Sequence, residues 1–280
     1  MAGAVLSFSA MAVAARELLS AQMGVFEVLF FRTGVAFLIV LAMLLRTGGA
    51  AARTRVIGTH LWRNLFHLGG QASWVYAIGA LPLATVFAIE FTIPIWTAVL
   101  AVTLLGERLS AGRVTVLALG LAGVLVILRP GFAAVQPAAL VMLFGSMCFA
   151  VNLIGTKRLS ATDGPLSVLF WMSVIQTPFC LAAALPGWVA PEARHAPWIA
   201  FIGLGSYTAH YCLTRAMRAA DALVVAPVDF FRLPLIAVIG AALYGERFDP
   251  AVILGAVMIF LGTWFNLSRE RARLAAPRAR

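Results

Sequence analysis

Five ionisable side chains interrupt long apolar stretches of this chain: Glu27, Arg32, Glu90, Asp229 and Arg232. Burying a lone charge costs several kcal/mol, so each needs a counter-charge, water or a bound ligand. The stretch VVAPVDFFRLPLIAV (224–238) holds an acid, a base and two prolines. Asp229 and Arg232 are three residues apart and share a helical face, so one can neutralise the other. Arginines at such places can bind an anionic group, and acids a cation or a proton. Glu27 falls near the start of its apolar run and is expected to face water. Arg32 and Glu90 each fall about six residues from the same end of their runs, roughly 9 Å deep at about 1.5 Å per residue. Equal depth predicts an Arg32–Glu90 ion pair. Such pairs can also serve only to lock helices together, and that reading stays open at this point.

The elements that must position these groups follow from composition. Of 280 residues, 62% are hydrophobic and 11% charged, against roughly 25% charged in soluble domains. The apolar residues form ten runs, at 2–19, 26–45, 64–81, 84–105, 113–128, 137–156, 165–186, 197–217, 222–244 and 250–267. Each is long enough to cross a hydrocarbon core of about 30 Å as a helix, which predicts an all-α membrane protein with ten transmembrane helices. The opening run MAGAVLSFSAMAVAA lacks the basic start of a secretory signal and is read as the first helix. Near each central acid the helix can break. Pro94 follows Glu90 by four residues, and Pro227 and Pro234 flank Asp229 and Arg232. A proline removes a backbone N–H bond, so these three are candidate hinges, with static kinks as the alternative.

Further polar side chains could join a site within the bundle. Gln71 and Trp74 share a face of the third run, Asn152 and Thr156 of the sixth, and His210 and Thr214 of the eighth. Trp74 could stack on a planar ligand. Interhelical hydrogen bonding and packing account for the same residues without a ligand. The candidate substrate-binding residues are therefore Arg32, Gln71, Trp74, Asn152, His210 and Arg232, with Glu90 and Asp229 as ion-pair or proton-coupling groups.

The formal net charge of +10 would suggest a nucleic-acid partner in a soluble protein, but the basic residues are segregated. With the N-terminus inside, 15 Lys and Arg residues fall on the cytoplasmic side, Arg63 and the tail SRERARLAAPRAR among them. Arg16, Arg129, Arg194 and Arg247 fall on the other, and Arg32 and Arg232 within runs. That asymmetry places both termini in the cytoplasm and excludes a nucleic-acid role. The tail (268–280) becomes a topology anchor on anionic lipid heads. Cys148, Cys180 and Cys212 read as apolar packing residues. The four histidines lack metal-ligand spacing, no phosphate-binding loop is present, and no nucleophile has a positioned base, so no metal, cofactor or enzymatic activity is expected.

The two halves of the chain repeat. TVFAIEFTIPIWTAVLAVTLLGERLS from residue 85 lies over VVAPVDFFRLPLIAVIGAALYGERFD from residue 224, at an offset of 139. Glu90 falls on Asp229, Gly106-Glu107-Arg108 on Gly245-Glu246-Arg247, Gly123 on Gly262, and Gln71 on His210. FEVLFFR (26–32) lies over LSVLFWM (166–172), so Met172 stands where the first copy has Arg32. The unit is five helices used twice. An odd number makes the second copy enter from the opposite face, giving two inverted repeats over 1–130 and 137–267. Matched Gly123 and Gly262 predict close helix contacts within the chain or in a homodimer.

With LPLATVFAIEFTIPIWTAVLAVTLLGERLS, GLAGVLVILRPG and PVDFFRLPLIAVIGAALYGE in place, the chain resembles the drug/metabolite transporter superfamily, specifically proteins with two EamA domains. The resemblance implies secondary transport of a small organic solute by alternating access in a bacterial inner membrane, proton-coupled or by exchange. FFR and DFFRLP look most like members associated with S-adenosylmethionine or riboflavin uptake, which implies an amino-acid-like or cofactor-like zwitterion as substrate. Amino-acid or drug export by the same family is the alternative. A channel or a non-transporting scaffold is the alternative from another class.

Overall fold

The structure of the chain, a computed structural model, describes residues 2–47, 49, 52–103, 111–129, 136–159, 161–219 and 229–275. The described residues are helical, joined by turns. In chain order the α-helices are α1 (Ala2–Ser20), α2 (Val25–Thr47), α3 (Ile57–Ala80), α4 (Leu83–Glu90), α5 (Ile93–Thr103), α6 (Ala111–Leu128), α7 (Pro137–Leu159), α8 (Pro165–Ala184), α9 (Ala196–Ala219), α10 (Arg232–Tyr244) and α11 (Pro250–Ala275). Among the described residues six stretches are long and apolar enough to cross a membrane: Ala2–Ser20, Val25–Arg46, Leu83–Leu100, Pro137–Leu159, Pro165–Gly187 and Pro250–Arg269. Val114–Leu128 and Arg232–Tyr244 are shorter apolar helices.

The 24-residue α3 and α9 are long enough to cross as well, about 36 Å at 1.5 Å per residue, but are more polar. In α3 the polarity points inward: His60, Arg63, Asn64, His67, Gln71 and Trp74 are buried, whereas Leu61 and Leu65 are 52% and 67% exposed. Apolar-out, polar-in is the arrangement a lipid-facing helix adopts around a polar interior. This helix starts at Ile57, seven residues before the apolar run at 64–81, because its first turns bear the buried polar groups. Arg63, counted in the sequence among cytoplasmic charges, is only 4% exposed.

Packing is pairwise. α1 lies against α9, α3 against α7, α2 against α8 and α9, α4 against α10, and α6 against α11. The apolar core draws Leu18, Leu29, Ile78, Phe87 and Met142 from five of these helices. α6 and α11 touch backbone to backbone: a Cβ on Gly123 would lie 2.6 Å from the Gly255 carbonyl oxygen. A Cβ on Gly262 would lie 3.2 Å from the Leu119 Cβ. Both matched glycines are thus used inside the chain.

The fourth apolar run is not one helix. α4 stops at Glu90 and α5 starts at Ile93, since Pro94 has no N–H to offer the Glu90 carbonyl four residues back. Thr92 secures the break. Its hydroxyl donates to the Ile89 carbonyl at 2.7 Å and lies 2.8 Å from the Ser146 hydroxyl of α7. Pro234 sits in the first turn of α10, and Pro227 lies outside the described residues.

Polar contacts tie the helix ends. At one end of the bundle Arg16 donates to the Leu81 carbonyl at 2.6 Å and pairs with Glu246 at 3.2 Å. There the Leu83 N–H donates to Glu246 at 2.8 Å, the Tyr244 hydroxyl donates to Glu17 at 2.9 Å, and Arg129 pairs with Asp249. Glu27 belongs to this end and is not in water as expected. It is 1% exposed and accepts from the Val189 N–H at 3.2 Å. At the other end His60 meets Asp163 of the α7–α8 turn at 2.7 Å. Burial pushes the Asp163 carboxyl up, but hydrogen bonds with His60, Thr54 and Thr162 outweigh this and hold it below its ordinary value.

Candidate functional site

Where α4 breaks, charges from both halves of the chain meet. Glu90, at the last turn of α4, and Asp229, just before α10, both reach Arg232 at the start of α10. The Arg232 guanidinium lies 3.1 Å from Glu90 and 2.9 Å from Asp229. The second oxygen of Glu90 accepts from the Trp74 indole N–H at 2.9 Å. Three rings surround the guanidinium, with Phe8, Phe87 and Phe91 centroids at 4.8, 5.0 and 5.3 Å. Cation–π attraction strengthens when such a group is desolvated, and Arg232 is 4% exposed. Phe91 and Phe230, which occupy equivalent places in the two sequence repeats, stack with centroids 4.2 Å apart.

The predicted Arg32–Glu90 pair does not form. Equal depth fixes only position along the bundle, whereas pairing also needs the two side chains to point at each other, and Glu90 faces Arg232 and Trp74. Asp229–Arg232 is the pair that the three-residue spacing called for. Trp74 is a hydrogen-bond donor to Glu90 with its ring edge-on to Phe87 at 6.1 Å.

Arg32 lies in a second, cationic cluster. It is fully buried, and none of its three guanidinium nitrogens has a hydrogen-bond partner among the described residues. Among the described residues Arg63 reaches neutral oxygens only, the Thr156 hydroxyl at 3.1 Å and the Asn64 side chain at 2.9 Å. Gln176 of α8 donates to Asn64 at 3.2 Å and lies 2.9 Å from His67 Nδ1. Arg32, Arg63 and His210 all act electrostatically on His67, and the two imidazole rings are 5.7 Å apart. The Thr156 hydroxyl also donates to the backbone carbonyl of Asn152 at 2.9 Å, and the Asn152 side-chain oxygen has no partner among the described residues. Gln71 is buried with its side-chain oxygen unpartnered.

The two clusters are connected. Arg63, His67, Gln71 and Trp74 recur every three or four residues and so line one face of α3. From His67 to Trp74 is about 10 Å along the axis. A second route is aromatic: His210 meets Phe8 edge-on at 5.7 Å, and Phe8 carries Arg232 on its face. An apolar cavity of ≈ 880 Å³ opens beside the acidic cluster between α4, α10 and α11, lined by Thr85, Phe230, Pro234 and Phe260 with Arg129 and Asp249. That size lies within the range of small-molecule sites.

Sequence reasoning passed over Arg63, His67, Asn64 and Gln176. The four-residue step from Arg63 through His67 to Gln71 carries the signal, but the charge asymmetry counts Arg63 among the cytoplasmic residues outside the 64–81 run.

Helices of this length and polarity, with charges buried among them, define a multi-pass membrane protein. The chain matches the EamA-like transporter family over residues 1–129 and again over 136–268, and it belongs to that family, within the drug/metabolite transporter superfamily. It is 27% identical over 251 residues to an S-adenosylmethionine uptake transporter of Rickettsia prowazekii, covering 90% of this chain and 85% of that one. It is 31% identical over 249 residues to a riboflavin transporter of Rhizobium johnstonii, covering 89% and 82%. A pseudopaline exporter of Pseudomonas aeruginosa is 25% identical over 267 residues, covering 95% and 93%. A protein solved by crystallography is similar in fold, with a TM-score of 0.63 and 16% identity, covering 98% of this chain and 99% of that one.

Proposed function

We propose that the chain is a secondary transporter that moves a small zwitterionic or cofactor-like metabolite across the bacterial inner membrane by alternating access. In this reading ten crossing segments form two inverted five-helix repeats, 1–130 and 137–267, with both termini and the basic tail 268–280 in the cytoplasm. The packing supports a two-fold relation. Exchanging the repeats turns the α1–α9 contact into the α7–α3 contact, while the α2–α8, α4–α10 and α6–α11 pairs map onto themselves. Phe91 against Phe230 fits a pseudo-two-fold axis passing beside Glu90 and Asp229, where inverted-repeat transporters commonly hold their substrate.

The observation that carries the proposal is the junction of Glu90, Asp229 and Arg232 at a broken helix between the halves. Arg32, Gln71, Trp74, Asn152, His210 and Arg232 would line the path. Glu90 and Asp229 would hold a cationic group or a coupling proton, and Pro94, Pro227 and Pro234 would serve as hinges that let one half rock on the other. Relatives named for S-adenosylmethionine and riboflavin uptake favour an uptake role for a cofactor-like solute. The relative named as an exporter keeps outward transport as the second reading.

Counterflow in proteoliposomes tests this, with labelled S-adenosylmethionine, riboflavin and neutral amino acids outside and each unlabelled solute inside. A carrier shows saturable, transiently uphill uptake that depends on the internal solute. Uptake linear in concentration and indifferent to internal solute would indicate a channel and defeat the proposal.

A further inference from the structure

We infer that Arg32, Arg63 and His67 form an anion subsite that takes the carboxylate of the transported molecule. The inference rests on the transporter reading above and adds to it the chemical group held at this end of the path. Arg32 comes from α2, Arg63 and His67 from α3, and Gln176 of α8 closes the cluster by hydrogen-bonding Asn64 and His67. Arg32 is 0% exposed, and among the described residues its Nε, Nη1 and Nη2 have no hydrogen-bond partner and no carboxylate pairs with it. Among the described residues the groups with which it interacts electrostatically are Cys180, Arg63, His67 and His210, none of which is a carboxylate.

Two buried guanidinium groups, one given only neutral oxygens by the described residues and the other given none, are costly to fold without an anion, because each has surrendered its water for nothing of opposite charge. Elsewhere the molecule does pair its buried arginine, since Arg232 has two carboxylates. The planar fork of a guanidinium matches a carboxylate with two parallel hydrogen bonds. The acidic cluster lies about 10 Å along α3 from His67. A molecule with a carboxylate and a cationic centre separated by such a distance would meet opposite charges at its two ends.

Thermal unfolding of the purified full-length chain in detergent, followed by tryptophan fluorescence, tests the subsite without transport. Sodium acetate, phosphate and chloride are titrated at constant ionic strength, with acetamide as the neutral control, for wild type, Arg32→Met and His67→Gln. Acetate should raise the unfolding temperature saturably where acetamide does not, and Arg32→Met should weaken its apparent affinity at least about tenfold, the loss of one strong ionic contact. Without acetate, Arg32→Met should unfold at the wild-type temperature or above, since it removes an unpaired charge; a lower temperature would make Arg32 a structural residue and overturn the inference. Equal acetate shifts in wild type and both variants would also overturn it. Saturation by chloride or phosphate with no competition from acetate would assign the cluster to an inorganic ion, against the carboxylate. Acetate binding with no counterflow of any solute would strike the transporter reading alone, whereas intact counterflow with no anion-dependent shift would strike the subsite alone.

Discussion

Replacing Arg232 by methionine removes the counter-charge of two carboxylates at once. Glu90 is 8% exposed and, among the described residues, would keep only the Trp74 N–H. Asp229, with a side chain 27% exposed, is partly relieved by solvent and adds less. Stripping one partner from a buried pair costs about 3–5 kcal/mol, and loss of the guanidinium from the Phe8, Phe87 and Phe91 faces adds to this. Arg232→Met should therefore unfold more readily by at least about 3 kcal/mol, read by denaturant or thermal unfolding in detergent. The double variant Glu90→Gln/Arg232→Met should recover a large part of that loss, because most of it is the stranded carboxylate, giving a coupling of about 1–3 kcal/mol in a double-mutant cycle. A single variant within about 1 kcal/mol of wild type, or a strictly additive double variant, would refute the reasoning that the three charges form one buried unit.

Trp74→Phe deletes the hydrogen bond to Glu90 while keeping a ring, and should cost about 1.5–3 kcal/mol by the same unfolding measurement. Gly123→Ala pushes a methyl group against the Gly255 carbonyl, where neither backbone can yield easily, and should lower stability by about 1–3 kcal/mol; Gly58→Ala, where nothing lies within 4 Å, should not. At the His60–Asp163 contact, the folded carboxyl titrates below its ordinary value of 3.8, so its contribution is present above that pH and is lost as pH falls through the lower folded value. The stability gap between wild type and Asp163→Asn should accordingly be flat across neutral and mildly acidic pH and close only below 3.8.

Much of this arrangement can be read from sequence because lipid imposes length and polarity rules that leave few choices. The apolar runs mark the helices, and the offset of 139 aligns Glu90 with Asp229 and Phe91 with Phe230, which the fold then brings together. The Asp229–Arg232 contact is local and follows from helical spacing. The partner of Glu90 was not legible, because depth in a bilayer leaves rotation about each helix axis undetermined. Arg63 was misplaced for a related reason: charge near the end of an apolar run signals a membrane boundary, but it equally suits a helix that begins earlier and turns its polar face inward. The break between α4 and α5 was signalled by Pro94, while its anchorage through Thr92 and Ser146 depends on which helix packs there.

The central claim, a carrier whose polar core engages a zwitterion, is met most directly by counterflow of labelled S-adenosylmethionine in proteoliposomes of wild type, Glu90→Gln and Arg32→Met. Wild type should show saturable counterflow, and each variant a fall of at least about tenfold in apparent affinity or rate, about 1.4 kcal/mol or more per lost contact. Counterflow of undiminished affinity and rate in both well-folded variants would contradict that claim.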